Sequence, residues 1–162
     1  MPIIDLVLDT NVLVHASNDR EDRQIDSVQL ITYLLASTEL ICVDTGFDTN
    51  ETVNKSYVGY EYLKHLKNGM LGYAFVVQMA LNKRICEVTR QTKVNTTRAI
   101  NQCMSNNHDK VFIKVAVNSN DKILITHDFT DFALSKRTHL KKTLGIDILV
   151  ASDIPDEKKG SR

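Results

Sequence analysis

The chain has 162 residues, of which 43% are apolar and 25% charged, with 20 Lys/Arg balanced by 20 Asp/Glu. That length suits one well-cored domain and is short for two. No apolar run approaches the roughly 20 residues of a membrane span, and Asp5 and Asp9 break an N-terminal stretch without a basic start, so neither a membrane anchor nor a secretory signal is expected and the location expected is cytoplasmic.

The first element, "IIDLVL" over 3–8, reads as a strand of aliphatic and β-branched residues, and the run that follows starts a helix. "SNDREDR" is a polar break. Ile25, Val28, Ile31, Leu34 and Leu35 recur at helical spacing and predict a helix over 24–35. "ELICVD", 39–44, is a second strand closing on Asp44, and "TGFDTNE" is a loop. Helices are expected from Thr52 to Leu66, from Met70 to Leu81 and, more polar, from Thr92 to Met104. Asp109 opens a further helix with Val111, Phe112, Val115 and Ala116 on its buried side. "KILIT", 122–126, and "IDILV", 146–150, are the last strands, and the segment between them carries "SKRTHLKK" on a helix.

Short apolar strands alternating with helices indicate an α/β fold, a three-layer α/β/α sandwich around a central, mostly parallel sheet. A single domain is expected over 1–152, followed by a flexible charged tail over 153–162. The three cysteines, Cys42, Cys86 and Cys103, are widely spaced with no CxxC and read as reduced core thiols. The neutral total hides an asymmetry. Residues 1–60 hold ten Asp/Glu against three Lys/Arg, and the remainder ten against seventeen, so an acidic site beside a basic patch remains open.

Ligand sites in parallel sheets lie beyond the carboxyl ends of the strands. Asp9, Asp44 and Asp128 all stand at or just past such ends. Taken singly, Asp109 reads as a helix N-terminal charge and Asp131 as a helix cap. Brought together, several carboxylates repel and raise one another's pKa values, and a hard cation such as Mg²⁺ or Mn²⁺ reverses that repulsion. No Ser-His-Asp arrangement, P-loop or GxGxxG competes for the chemistry.

"VLDTNVLVHA", "SYVGYEYLKHL", "DKVFIKVA" and "KILITHDFTDF" occur in the order found in PIN-domain proteins, and the chain resembles that family over about residues 4–150. The family comprises metal-dependent, mostly RNA-cleaving nucleases, including the VapC-type toxins of toxin–antitoxin pairs. The resemblance implies a catalytic, metal-binding set of Asp9, Glu61, Asp109 and Asp128, with Asp131 at a more variable metal position. It makes Asn11 and Thr126 polar companions of the acidic cluster at the substrate site. The second acidic position matches less closely: Glu61 fits the expected helix, with Glu51 and Asp44 as alternatives. The implied cofactor is Mg²⁺ or Mn²⁺, and the implied reaction is in-line attack of activated water on RNA phosphodiesters, leaving a 5′-phosphate and a 3′-hydroxyl.

Lys136 and Arg137, in the densest basic stretch, are read as phosphate contacts, against the alternative of a solvated helix face. Arg84, Arg90, Lys93 and Arg98 are candidates to extend that surface. His108 and His127 flank candidate ligands and are possible phosphate or proton partners. Expected partners are RNA, an antitoxin-like protein and a second copy of the chain. The rival readings are a haloacid-dehalogenase-like phosphatase, disfavoured by Asn11 where a second acidic residue is needed, a receiver domain, which lacks its acidic pair, and a catalytically silent PIN-like binding or assembly module.

Overall fold

Strands that are aliphatic on both faces must be covered on both faces. The computed structural model, which describes residues 2–154, builds such strands into a parallel sheet of five: β1 (Asp5–Leu8), β2 (Leu40–Asp44), β3 (Ile85–Val88), β4 (Ile123–Ile125) and β5 (Asp147–Leu149). Their order is β3-β2-β1-β4-β5, and every pairing is parallel. Among the described residues seven helices connect them: α1 (Thr10–His15), α2 (Gln24–Leu35), α3 (Tyr57–His65), α4 (Leu71–Leu81), α5 (Val94–Cys103), α6 (Asn107–Asn118) and α7 (Leu134–Leu144).

The chain moves outward from β1 through β2 to β3, then returns across β1 to β4 and β5. Right-handed crossovers therefore place α1–α4 on one face and α5–α7 on the other. The contacts follow this plan. α1 packs against α2, α3 and α4, whereas α6 lies on β1, β2 and β4 with α5 beside it, and α5 and α7 pack together. Between them Leu6, Val7, Leu8, Ile41, Val43, Leu124 and Ile125 are fully buried, with Tyr62, Phe75, Phe112 and Phe132 filling the space at the sheet.

Two local devices set the helix positions. Ser56 caps α3, its Oγ accepting the Gly59 N–H at 2.9 Å and donating to Asp44 Oδ1 at 2.6 Å. Gly72 lets α4 approach α1 closely, since a Cβ there would stand 2.5 Å from the Leu13 carbonyl oxygen.

Three expectations need correction. The helix anticipated from Thr52 begins only at Tyr57, because 51–53 forms turns and the Asn50 and Asn54 side chains accept the Thr52 and Asp48 N–H groups there. The edge strand β3 was not anticipated: it is four residues long with Glu87 exposed, too short and too mixed to stand out by pattern. The tail expected from 153 begins too early. Ile154 is fully buried and Asp153 Oδ2 accepts the Val150 N–H at 2.9 Å. The rest of that expected tail, 155–162, lies outside the described residues. No helix among the described residues is long and apolar enough to cross a membrane.

Candidate metal centre

The strand order reverses between β1 and β4, so their carboxyl ends open a crevice at the switch point of the sheet. Register places Leu8 opposite Ile125, which brings Asp9 beside Thr126. The Asp9 N–H continues the ladder to the Ile125 carbonyl at 2.9 Å. Asp9 is the N-cap residue of α1, yet its side chain makes no capping bond. Instead Oδ2 accepts the Thr126 hydroxyl at 2.9 Å and the Asn11 amide at 3.3 Å. Asn11 Oδ1 in turn accepts the His127 N–H at 3.2 Å, and Thr126 Oγ1 accepts the Asp128 N–H at 3.1 Å. Asn11 and Thr126, anticipated at the substrate site, are thus braces that fix one Asp9 oxygen and turn the other outward.

A cleft of about 280 Å³ opens there, and its walls include Asp9, Asn11, Glu61, Asp109, Asp128 and Asp131. The five acidic residues come from four separate segments. Asp109 is delivered by the first turn of α6, whose start is fixed by Asn106 Oδ1 accepting the His108 N–H at 2.9 Å. Asp128 forms a turn of its own, its Oδ1 accepting the Thr130 and Asp131 N–H groups at 3.2 and 3.1 Å. Glu61 reaches the cleft from α3.

Asp109 is the most demanding member. It is 3% exposed, and its Oδ2 is buried without a hydrogen-bond partner. Burial, the Asp9 and Asp131 charges and a hydrogen bond with Asp131 push its carboxyl up to about 7, the neighbouring His108 opposing. An orphaned, buried carboxylate oxygen is rare in folded proteins. Hard oxygen donors with unfilled lone pairs suit a divalent cation, and Asp9, His108 and Asp109 each offer a donor atom within 4.8 Å of the others. The residues present therefore fit such an ion.

The three candidates for the second acidic position separate clearly. Glu51 is exposed in the turns before α3 and does not line the cleft. Asp44 is 1% exposed but saturated. It accepts from Ser56 Oγ, from the Tyr57 N–H at 2.7 Å and the Val58 N–H at 2.8 Å, and pairs with Arg90 Nε at 3.2 Å. It anchors α3 rather than opening to the cleft. Glu61 stands in the cleft wall, 8% exposed, with its Oε2 3.4 Å from His65 Nε2 and 3.3 Å from His108 Nδ1.

Histidines surround this cluster in a way the sequence reading largely missed. His15 and His65 line the cleft. The signal for His65 was its position four residues after Glu61 on one helix face. His15 carried no comparable mark. His108 Nε2 lies 3.4 Å from Asp9 Oδ1, and this hydrogen bond, with the charges of Asp9, Glu61 and Asp109, raises its pKa against the effect of burial. His127 behaves oppositely. Burial, His15 and Arg23 lower its pKa to about 4, and its ring stacks on His15 with Nδ1 2.9 Å from His15 Nδ1. A neutral His127 that does not line the cleft is no cation for phosphate.

The residues anticipated as phosphate contacts stand outside the cleft. Neither Lys136 nor Arg137 lines the cleft. Arg137 donates from Nε to the Phe132 carbonyl at 2.9 Å and covers the Phe129 ring at 4.1 Å, so it braces the 129–132 turn. Arg84 donates to the Glu39 carbonyl just before β2, and Arg90, still exposed, pairs with Asp44 at its end. Among the described residues all three cysteines are free thiols.

No family model matches the chain, and neither does any curated protein. Among solved structures, a chain of the VapBC2 complex from Rickettsia felis bound to a DNA fragment from its promoter superimposes with a TM-score of 0.45 and 14% identity, over 91% of this chain and 98% of that one. A likeness of that size carries no argument about function. What stands on this chain's own coordinates is an α/β fold with an all-parallel central sheet, and a cluster of carboxylates and imidazoles at its switch point that could hold a divalent cation.

Proposed function

We propose that the protein is a divalent-metal-dependent nuclease of the PIN type that hydrolyses phosphodiester bonds in single-stranded RNA. The observation that carries this reading is the Asp109 carboxylate, buried with an unpartnered oxygen where Asp9, Asp128 and Asp131 also face one cleft. Asp9, Asp109 and Asp128 supply oxygens to the ion, and Glu61 and Asp131 complete the acidic wall. A bound Mg²⁺ or Mn²⁺ lowers the pKa of water and offsets charge on the phosphoryl oxygens.

The chain's own residues prepare for that role. Thr126 and Asn11 hold Asp9 Oδ2 so that Oδ1 faces the cleft. The backbone N–H groups of residues 130 and 131 hold one Asp128 oxygen and leave its other oxygen for a ligand. RNA as the substrate, and an antitoxin-like protein as regulator, are what the resemblance to PIN-domain proteins implies.

The test is cleavage of single-stranded RNA oligonucleotides by the native protein and by Asp9→Asn. The native protein should cut with Mn²⁺ or Mg²⁺ and stop in chelator. Asp9→Asn should lose at least ~10²-fold in rate, as when a group stabilising the transition state is removed, while its circular dichroism is unchanged. Undiminished cleavage by Asp9→Asn would refute the assignment. A folded native protein that neither cuts nor is stabilised by Mn²⁺ would favour a silent module.

A further inference from the structure

Five carboxylates suggest an all-oxygen site, but an imidazole stands in their midst. His108 presents Nε2 to Asp9 Oδ1 at 3.4 Å and Nδ1 to Glu61 Oε2 at 3.3 Å. The first distance is long for a charge-assisted hydrogen bond, which favours roughly 2.7–2.9 Å. It is close to the spacing of two adjacent donors on one ion, because donors about 2.1 Å from a cation and at right angles lie about 3 Å apart. Asp109, one residue on, adds its oxygen to the same group within 4.8 Å. Its buried Oδ2, which accepts no hydrogen bond, points independently to a ligand here.

The opposite ring nitrogen explains Glu61. A metal-bound imidazole is commonly oriented by a carboxylate accepting its other N–H, and Glu61 Oε2 stands at Nδ1 in that relation. α3 is itself held rigidly by Asp44 through Ser56, Tyr57 and Val58, so Glu61 has a fixed base from which to hold the ring.

We infer that His108 Nε2 is a nitrogen ligand of the metal centre beside Asp9 and Asp109, with Glu61 as the positioning residue that holds its Nδ1–H. This rests on the proposed metal site and refines it. A nitrogen donor suits transition metals better than Mg²⁺, so the site should favour Mn²⁺ over Mg²⁺ more strongly than carboxylates alone would.

Electron spin echo envelope modulation of the full-length protein loaded with Mn²⁺ reads the nitrogen directly. Native protein should show ¹⁴N modulation from a directly bound imidazole. His65→Gln and Glu61→Gln should keep it, Glu61→Gln with Mn²⁺ affinity lowered by about tenfold or more, and His108→Gln should lose it. Melting in chelator, matched to native, shows that each variant is folded. Bound Mn²⁺ without ¹⁴N modulation, or modulation that survives in His108→Gln, would overturn the inference and leave the metal site standing. A native protein that binds no Mn²⁺ would overturn both, and so would mark the failure of the nuclease reading itself.

Discussion

Neutralising a buried acid should stabilise this protein when no metal is present. Asp109 is 3% exposed, and burial with the Asp9 and Asp131 charges holds its carboxyl at about 7 instead of 3.8. The folded chain therefore binds that proton more tightly than the unfolded chain does. Stability linked to Asp109 is fully present below pH 4 and is lost as pH rises through 7. A gap of roughly three pH units corresponds to about 4 kcal/mol at pH 8. Asp109→Asn removes the charge at nearly constant shape. In chelator at pH 8 it should melt above the native protein by roughly 5–15 °C, the lower end applying if the new amide finds few partners. At pH 4 the two should melt close together, and at pH 5 the variant should already lead by a few degrees. His127, whose pKa is lowered to about 4 chiefly by burial, weakens both proteins alike as pH falls below 6.5 and cancels in the comparison. Saturating Mn²⁺ should reverse the order, since only the native site gains binding energy. Differential scanning fluorimetry measures all of this. A variant that melts below native at pH 8 in chelator would show that the Asp109 charge is already compensated, and the reasoning fails.

Asp44→Asn should cost about 2–3 kcal/mol in urea unfolding, because an amide replaces a carboxylate that accepts three donors and an Arg90 ion pair. It should also diminish stabilisation by Mn²⁺, since α3 carries Glu61. Gly72→Ala should lower stability by about 1–3 kcal/mol, as its Cβ meets the Leu13 carbonyl, with Mn²⁺ affinity unchanged in calorimetric titration. Thr126→Val, which keeps the shape but removes the hydroxyl bonded to Asp9 Oδ2, should weaken Mn²⁺ binding by about tenfold while leaving the far-ultraviolet spectrum intact.

Elements whose burial is periodic were legible in the sequence. α2 spans Gln24–Leu35 as the apolar spacing requires, and α4, β2 and β4 fall within a residue or two of expectation. Elements at the edges were not. β3 has only half-buried residues around an exposed Glu87, so it lacks the run that marks a central strand. The acidic residues of the cleft were readable because strand ends and helix starts are where a parallel sheet puts ligands. The histidines were harder. His108 looked like a neighbour of Asp109, and nothing in a linear pattern shows that its two nitrogens reach residues 99 and 47 positions away. In the basic stretch the charge density was visible, but Arg137 folding back over Phe129 was not, because it depends on the 129–132 turn.

Asp9 and Asp44 show why counting acceptors separates a structural acid from a chemical one. Asp44 ends a parallel strand and Asp9 directly follows one, each is almost completely buried, and each stands near a helix start in space. Asp44 meets a hydroxyl, two backbone N–H groups and a guanidinium, which satisfies both its oxygens inside the fold. Asp9 is held firmly on one oxygen only; the other has just the long 3.4 Å hydrogen bond with His108 across the cleft. Asp109 is left with an oxygen that accepts nothing. A folded chain that brings unfilled acceptors together at one point, while filling those of an equivalent strand end nearby, places its unpaid electrostatic cost where a cation can remove it.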